Sequence, residues 1–248
     1  MAKIIRMKNH PASAPALPSL RAVPLRLSSN GQAVPLLDEA ERETLAGIAT
    51  LARFPRGARL EAEGERAVQI YNIIEGVVKT YRLSEDGATY ILAFLFPGDL
   101  VGLYENGRYV NSAEAVTAVV AHRLPIEALE QLLRRDPALT VEFLSKACHD
   151  LRAAQRHTIL LAHHDARTRV LLFLDLIADH APEANGPRRI VELPMPRTDV
   201  ADYLALSPEA VSRTLHALEH EGVLRFISPR VIEFARRDDL PSIHRQIG

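Results

Sequence analysis

Between Phe54 and Pro125, apolar and β-branched runs recur: Gln69 to Ile74, Gly76 to Leu83, Thr89 to Phe96 and Ala113 to Leu124. Gly57, Gly64, Gly76, Gly87 and Gly98 punctuate them at intervals of roughly a strand plus a turn. That rhythm predicts short antiparallel strands closed into a small barrel or roll. Ser84-Glu85-Asp86-Gly87 reads as a hairpin turn, with Asp-Gly supplying the positive-φ positions. Ahead of the strands, Leu37 to Ala49 reads as a short helix opening at Asp38.

After Pro125 the period changes from two to between three and four. Ile126 to Arg134 predicts one helix. Asp136-Pro137 then starts a long second one, because proline is tolerated at the first helical position, where no N–H is needed. Within it Leu144, Ala147, Leu151, Ala154, Thr158 and Leu161 fall at alternating steps of three and four, a narrow coiled-coil-like seam. Two partners for this seam stay open: the chain's own roll, or the same helix of a second copy. Two alanines and a threonine permit close helix approach and favour the dimer. A further helix is expected from Asp165 to His180, with Pro182 to Pro187 as a linker.

The stretch PRTDVADYLALSPEAVSRTLHALEHEG, from Pro196 to Gly222, is the most informative. Thr198 or Asp199 is suited to cap a first helix whose Val200, Tyr203 and Leu204 face inward, with Ala201 small where two helices cross. Leu206-Ser207 makes the turn. Ser207 caps a second helix with Pro208 at its first position. Val211, Leu215 and Leu218 form its buried stripe, Glu209, Ser212, Arg213 and His216 lie on another face, and Gly222 ends it. Two short helices joined by a tight turn, the second polar at its N-terminal end, follow helix-turn-helix logic. Arg213 has the planar fork for guanine O6 and N7, Glu209 can accept from cytosine N4, and Ser212 suits either kind of edge. Thr198, Pro208 and Thr214 are expected to position the backbone of the DNA. Val223 to Ile227, the turn Ser228-Pro229-Arg230 and Val231 to Phe234 predict a hairpin wing, with Arg230 reaching a phosphate. A helical hairpin with an ordinary charged face is the competing explanation of the same pattern.

Composition changes this picture little. The chain has 248 residues, 47% hydrophobic and 25% charged, enough for a sizeable core and two domains. Net charge is −1 at pH 7, and the stretch from Pro187 onward carries as many acidic residues as arginines, so charge alone does not point to DNA. No signal peptide or membrane span is legible, which implies a cytoplasmic protein without a membrane partner. Residues 1–34 are rich in Pro, Ala and Ser, and Lys3, Arg6, Lys8, Arg21 and Arg26 stand there without an acidic residue. They read as a disordered basic tail, either solvated or in weak contact with a polyanion. The single cysteine, Cys148, excludes an internal disulfide and an all-cysteine metal site. It is expected to be buried as a small hydrophobe. His157, His163 and His164 have poor spacing for one metal and are expected in solvent. No Gly-rich phosphate loop, nucleophile elbow or H-E-x-x-H is present, so no enzyme, metal or cofactor is expected.

From about Asp38 onward the chain resembles the Crp/Fnr family of bacterial regulators. The match is carried by IIEGVVKTYRLSEDGATYILAFLFPGDLVGL, by the long helix, and most specifically by ADYLALSPEAVSRTLHALEHEGVL. The resemblance implies an α+β protein. Residues 35–136 would be an antiparallel β-roll of the cyclic-nucleotide-binding jelly-roll type, 137–163 a long dimerisation helix, and 164–248 a winged helix-turn-helix. Glu209-Ala210-Val211-Ser212-Arg213 matches the E-x-x-S-R pattern of the Fnr and FixK branch; the Crp branch has Arg at the position of Pro208 and Gly at that of Ser212. The resemblance therefore implies a homodimer reading a TTGA-type palindrome in double-stranded DNA. Arg213 would read the guanine, Glu209 the opposite cytosine and Ser212 a neighbouring thymine. RNA polymerase would be a second partner if the regulator activates.

In the cyclic-nucleotide binders of that family, a G-E pair and an R-S pair hold the ribose and the phosphate. Here the expected counterparts are Gly98-Asp99 and Asn111-Ser112. Asn111 removes the fixed positive charge a buried phosphate requires, so the pocket is expected to be vestigial for cyclic AMP. Without N-terminal cysteines, an oxygen-sensing iron–sulfur cluster is excluded. The resemblance is then to the FixK-like branch, and it implies control through the protein's own abundance. A gate by haem or another small molecule, and a ligand-binding or scaffolding module without DNA binding, are the alternatives.

Overall fold

The computed structural model describes residues 25–27, 33–35, 39–180 and 188–235. Inside the expected tail, β1 (Leu25–Leu27) and β2 (Ala33–Pro35) pair antiparallel. The rest of residues 1–34 lies outside the described residues, as does the linker at 182–187.

Helix α1 (Glu39–Ile48) leads into the roll. Its strands are β3 (Thr50–Phe54), β4 (Arg59–Glu61), β5 (Gln69–Glu75), β6 (Val78–Leu83), β7 (Thr89–Leu95), β8 (Leu100–Val101), β9 (Tyr104–Glu105), β10 (Arg108–Tyr109), β11 (Ser112–Ala115) and β12 (Val119–Pro125). Two four-stranded antiparallel sheets, in the orders β4-β11-β6-β7 and β3-β12-β5-β8, face each other, and β9-β10 forms a small ladder at one end. The run from Ala113 to Leu124 is two strands rather than one. Val116 to Ala118 break it, and β11 and β12 belong to opposite sheets, so the chain crosses from one layer to the other there.

The break fixes the neighbouring turn. Gly76 has φ +92°, and a Cβ on it would stand 2.2 Å from the Ala118 carbonyl oxygen, so only glycine fits. In the hairpin between β6 and β7, Gly87 takes φ +84° and Asp86 does not share a positive φ. Asp86 instead accepts a hydrogen bond from the Ser84 hydroxyl, which stabilises the turn from its side chain.

Helix α2 (Ile126–Arg135) closes the roll, and α3 (Pro137–His163) follows. Asp136 caps α3 by accepting from Leu139 N at 3.0 Å, with Pro137 at the first position as expected. Asp165 caps α4 (Ala166–Asp179) in the same way, accepting from Thr168 N at 2.8 Å. The C-terminal part contains α5 (Arg197–Leu204), α6 (Pro208–His220) and a three-stranded sheet of β13 (Arg188–Glu192), β15 (Val231–Ala235) and β14 (Leu224–Phe226). Strand β13 has no counterpart in the sequence reading. Its apolar residues, Ile190 and Val191, are too few to give a period.

Two apolar cores belong to the roll and its flanking helices. The largest core is shared: Ile91, Phe94, Phe96 and Val116 of the roll pack with α4, α5, α6 and the C-terminal sheet. Phe94 lies 5.3 Å from Tyr203 and 5.9 Å from Phe173 between ring centroids, and Phe96 stacks on His180 at 4.0 Å. The C-terminal part is thus seated on the roll by apolar burial rather than hung from a free linker. No helix among the described residues is long and apolar enough to cross a membrane.

Candidate nucleic-acid interface

Helices α5 and α6 are joined by Ala205 to Ser207. Ala205 ends α5 in the left-handed region (φ 51°), which turns the chain sharply, and Leu206 N donates to Ala201 O at 2.9 Å. Ala201 is fully buried at the crossing, where a larger side chain would hold the helices apart. Ser207 Oγ accepts from Ala210 N at 3.1 Å, with Pro208 at the first position of α6. The start of α5 differs from expectation. Pro196 occupies the capping position without a side-chain bond, and Thr198 and Asp199 lie inside the first turn. Asp199 is buried and turned to Lys79 of β6 at 2.9 Å, so its carboxylate serves the domain contact instead.

Val211, Leu215 and Leu218 anchor α6 in the shared core. This leaves Glu209, Arg213 and His216 exposed along one face, with Ser212 and Thr214 half-buried beside them. The Glu209 carboxyl is held below the usual range by its own backbone N–H, then by the Ser207 hydroxyl and the Arg213 charge. It therefore stays an acceptor at neutral pH. Ser212 Oγ donates to Pro208 O at 2.9 Å, which commits its hydroxyl proton to the helix. Arg213 makes no ion pair among the described residues.

Strands β14 and β15 form the wing. At its tip Ser228 Oγ accepts from Val231 N at 3.1 Å, and Arg230, exposed, holds the turn through its carbonyl, which accepts from Leu193 N at 2.8 Å. Arg197 ties the wing to α5: its guanidinium lies over Phe226 at 5.9 Å and donates to Pro229 O at 3.1 Å. Glu219 of α6 accepts from Phe226 N at 3.3 Å. Three of the acidic residues in this stretch are held in ion pairs: Glu221 pairs with Arg167 and Glu233 with Arg225, while Asp199 pairs with Lys79.

Leu144 and Leu151 of α3 are 63% and 60% exposed, and Ala147, Ala154 and Thr158 are exposed with them, while Leu161 is half-buried. The chain's own roll does not cover this seam. Cys148 is exposed beside it, contrary to expectation, because that side of α3 faces away from the roll. His157 is half-buried rather than solvated: its ring stacks on Tyr203 at 4.0 Å and its Nε2 lies 2.9 Å from Tyr203 O. Arg169 clamps the same corner, donating to Leu161 O at 2.7 Å, His164 O at 2.8 Å and Leu204 O at 3.0 Å. These contacts between distant segments left no sequence signal.

The four residues expected in the effector pocket divide between the sheets. Gly98 and Asp99 make the turn into β8. Both carboxylate oxygens of Asp99 are engaged, one by Phe96 N at 2.9 Å and the other by Lys146 of α3 at 3.2 Å. Asn111 and Ser112 enter β11 in the opposite sheet, and Ser112 Oγ accepts from Glu63 N at 3.0 Å. No hydrogen bond joins the two pairs among the described residues.

Residues 51–136 match the cyclic nucleotide-binding domain family, and residues 168–242 match the Crp-like helix-turn-helix domain family. The chain is 34% identical to the nitrogen fixation regulation protein FixK of Azorhizobium caulinodans over 82% of this chain and 83% of that one. It is 32% identical to the FixK of Bradyrhizobium diazoefficiens over 77% and 81%, and 31% identical to the transcriptional activatory protein AadR of Rhodopseudomonas palustris over 82% and 86%. The solved structure of FixK2 from Bradyrhizobium japonicum superposes with a TM-score of 0.72 at 31% identity, over 77% of this chain and 94% of that one. By its roll, its helix-turn-helix and these relatives, the chain belongs to the Crp/Fnr family of transcription regulators and is a homologue of FixK.

Proposed function

We propose that the protein is a dimeric, sequence-specific regulator that reads a TTGA-type palindrome through α6. The observation that carries this reading is the placing on one exposed face, one helical turn apart, of an ionised Glu209 and of Arg213, which makes no ion pair among the described residues. A carboxylate repels phosphates, so on a DNA-facing surface its use is to accept from a base edge such as cytosine N4. Arg213 takes guanine O6 and N7, and Ser212 contacts the neighbouring thymine. Thr198, Pro208, Thr214 and Arg230 position the backbone. The uncovered seam Leu144, Ala147, Leu151, Ala154, Thr158 and Leu161 supplies the contact to a second copy, which sets two recognition helices on two half-sites. RNA polymerase is a further partner where the regulator activates.

Fluorescence anisotropy on labelled duplexes tests this directly. A TTGA palindrome should be bound far more tightly than one with both guanines replaced. Arg213→Ala should erase about 1–3 kcal/mol of that preference per half-site. Equal binding of the palindrome by Arg213→Ala and the parent protein would overturn the assignment.

A further inference from the structure

One buried acid in the roll is used neither by the fold nor by DNA reading. Glu61 ends β4 opposite Ala113 of β11. Directly opposed residues of antiparallel strands share a face, and Ala113 lies in the roll interior with Leu60, Tyr71, Ile73 and Val101. The Glu61 side chain therefore points into that interior. It is 4% exposed, and its Oε2 has no hydrogen-bond partner. Burial alone acts on it and pushes its pKa up to about 8. Tyr71 and Tyr109 stand close enough to feel its charge, and Phe54 meets Tyr71 edge-on at 5.3 Å between centroids. Both phenols are turned to Gln69, Tyr109 Oη donating to its carbonyl at 2.8 Å, so neither satisfies the acid. Ala113, Ala115 and Ala121, all buried in this interior, extend no further than Cβ.

A carboxyl group stripped of water and left without a partner is costly, and a cation restores what burial removes. The sign of the charge also decides what cannot bind: an ionised Glu61 repels a phosphate, and Asn111 supplies no compensating cation. Aromatic rings beside a carboxylate attract organic cations through their π faces. We propose that the roll interior at Glu61 binds a small organic ammonium ion, paired with the Glu61 carboxylate and packed against the Tyr71 and Tyr109 rings, in place of an anionic nucleotide. This deepens the regulator reading by naming the chemical class of its effector. It is tested on the protein alone, so its failure leaves the DNA assignment standing, and the reverse also holds.

Isothermal titration of the full chain with ethylammonium, benzylammonium, benzyl alcohol, benzoate and cyclic AMP decides the matter. At least one ammonium probe should bind saturably, and the alcohol, benzoate and cyclic AMP should not. Because the carboxyl must ionise on binding, close to one proton per site should be released at pH 7, and affinity should rise about tenfold from pH 6 to pH 7. Glu61→Gln, which keeps the shape and is checked for folding by its melting transition, should weaken the ammonium probe by about tenfold or more. The proposal falls if neither ammonium binds, if benzyl alcohol or cyclic AMP binds equally well, or if folded Glu61→Gln binds the ammonium as the parent does.

Discussion

Lys79 Nζ of β6 and Asp199 Oδ2 of α5 meet at 2.9 Å across the junction of the roll and the helix-turn-helix, and both side chains are largely buried. Glu114 adds a second carboxylate at 3.5 Å from the same ammonium. Burial alone would drive the lysine toward its neutral form. The bond and charge of Asp199, with Glu114 behind it, outweigh burial and hold its pKa above the ordinary value. Removing the ammonium leaves two carboxylates without their counter-charge. Lys79→Met should therefore cost about 3–5 kcal/mol in urea unfolding, and Lys79→Met with Asp199→Asn should recover part of that loss. Additive losses in the two single variants would show that the pair is not coupled.

The residues in this junction explain what the sequence displayed and what it withheld. Asp136-Pro137 and Ser207-Pro208 announced their helices because capping is local: the side chain and the N–H it satisfies lie within three residues. The stripe Val211, Leu215, Leu218 was legible for the same reason, since one helix face turns to one core. Lys79 and Asp199 are 120 residues apart in sequence, and each alone looks like a solvated charge. Glu61 was equally silent, because only its opposition to Ala113 shows that it points inward. Asp199 even misled: an acid near a helix start suggests a cap, but its carboxylate had a buried partner elsewhere.

The turn between α5 and α6 stores strain at one residue. Ala205 sits at φ 51°, a region where a Cβ meets the following carbonyl. Ala205→Gly relieves that clash at the cost of extra backbone entropy in the unfolded chain, a net gain of up to about 1 kcal/mol. Ser207→Ala removes the bond to Ala210 N and should cost about 0.5–2 kcal/mol. Thermal melts of the two variants should move in opposite directions, and a lower midpoint for Ala205→Gly would contradict this account.

Acid should loosen the corner where α3 meets α5. Burial lowers the pKa of His157, and its bond to the Tyr203 carbonyl offsets this only in part. The folded protein thus disfavours the protonated ring relative to the unfolded chain. The stability this site contributes is complete above the unfolded value near 6.5 and is lost as pH falls through the lower folded value. His157→Gln keeps a donor for the carbonyl without a titrating ring. Between about pH 6.5 and pH 5, urea midpoints of the parent should fall more steeply than those of His157→Gln. Parallel curves would remove His157 from the acid response.

Arg230 and Arg213 are both exposed arginines, but their places in the fold predict different losses. Arg213 projects from the first half of α6 beside Glu209, whereas Arg230 sits at the wing tip, held by the Ser228 turn and steadied through Arg197 on Pro229. A guanidinium on a wing meets the phosphate backbone, which has the same charge at every sequence. Arg230→Ala should therefore weaken binding to the TTGA palindrome and to an unrelated duplex by a similar factor. It should also lower the slope of log K against log salt by about 1 per contact, since each neutralised phosphate releases its counterions. Arg213→Ala should instead weaken the palindrome selectively. If Arg230→Ala reduced binding to the palindrome alone, the wing would be reading bases, and the division of labour between α6 and the wing would have to be redrawn.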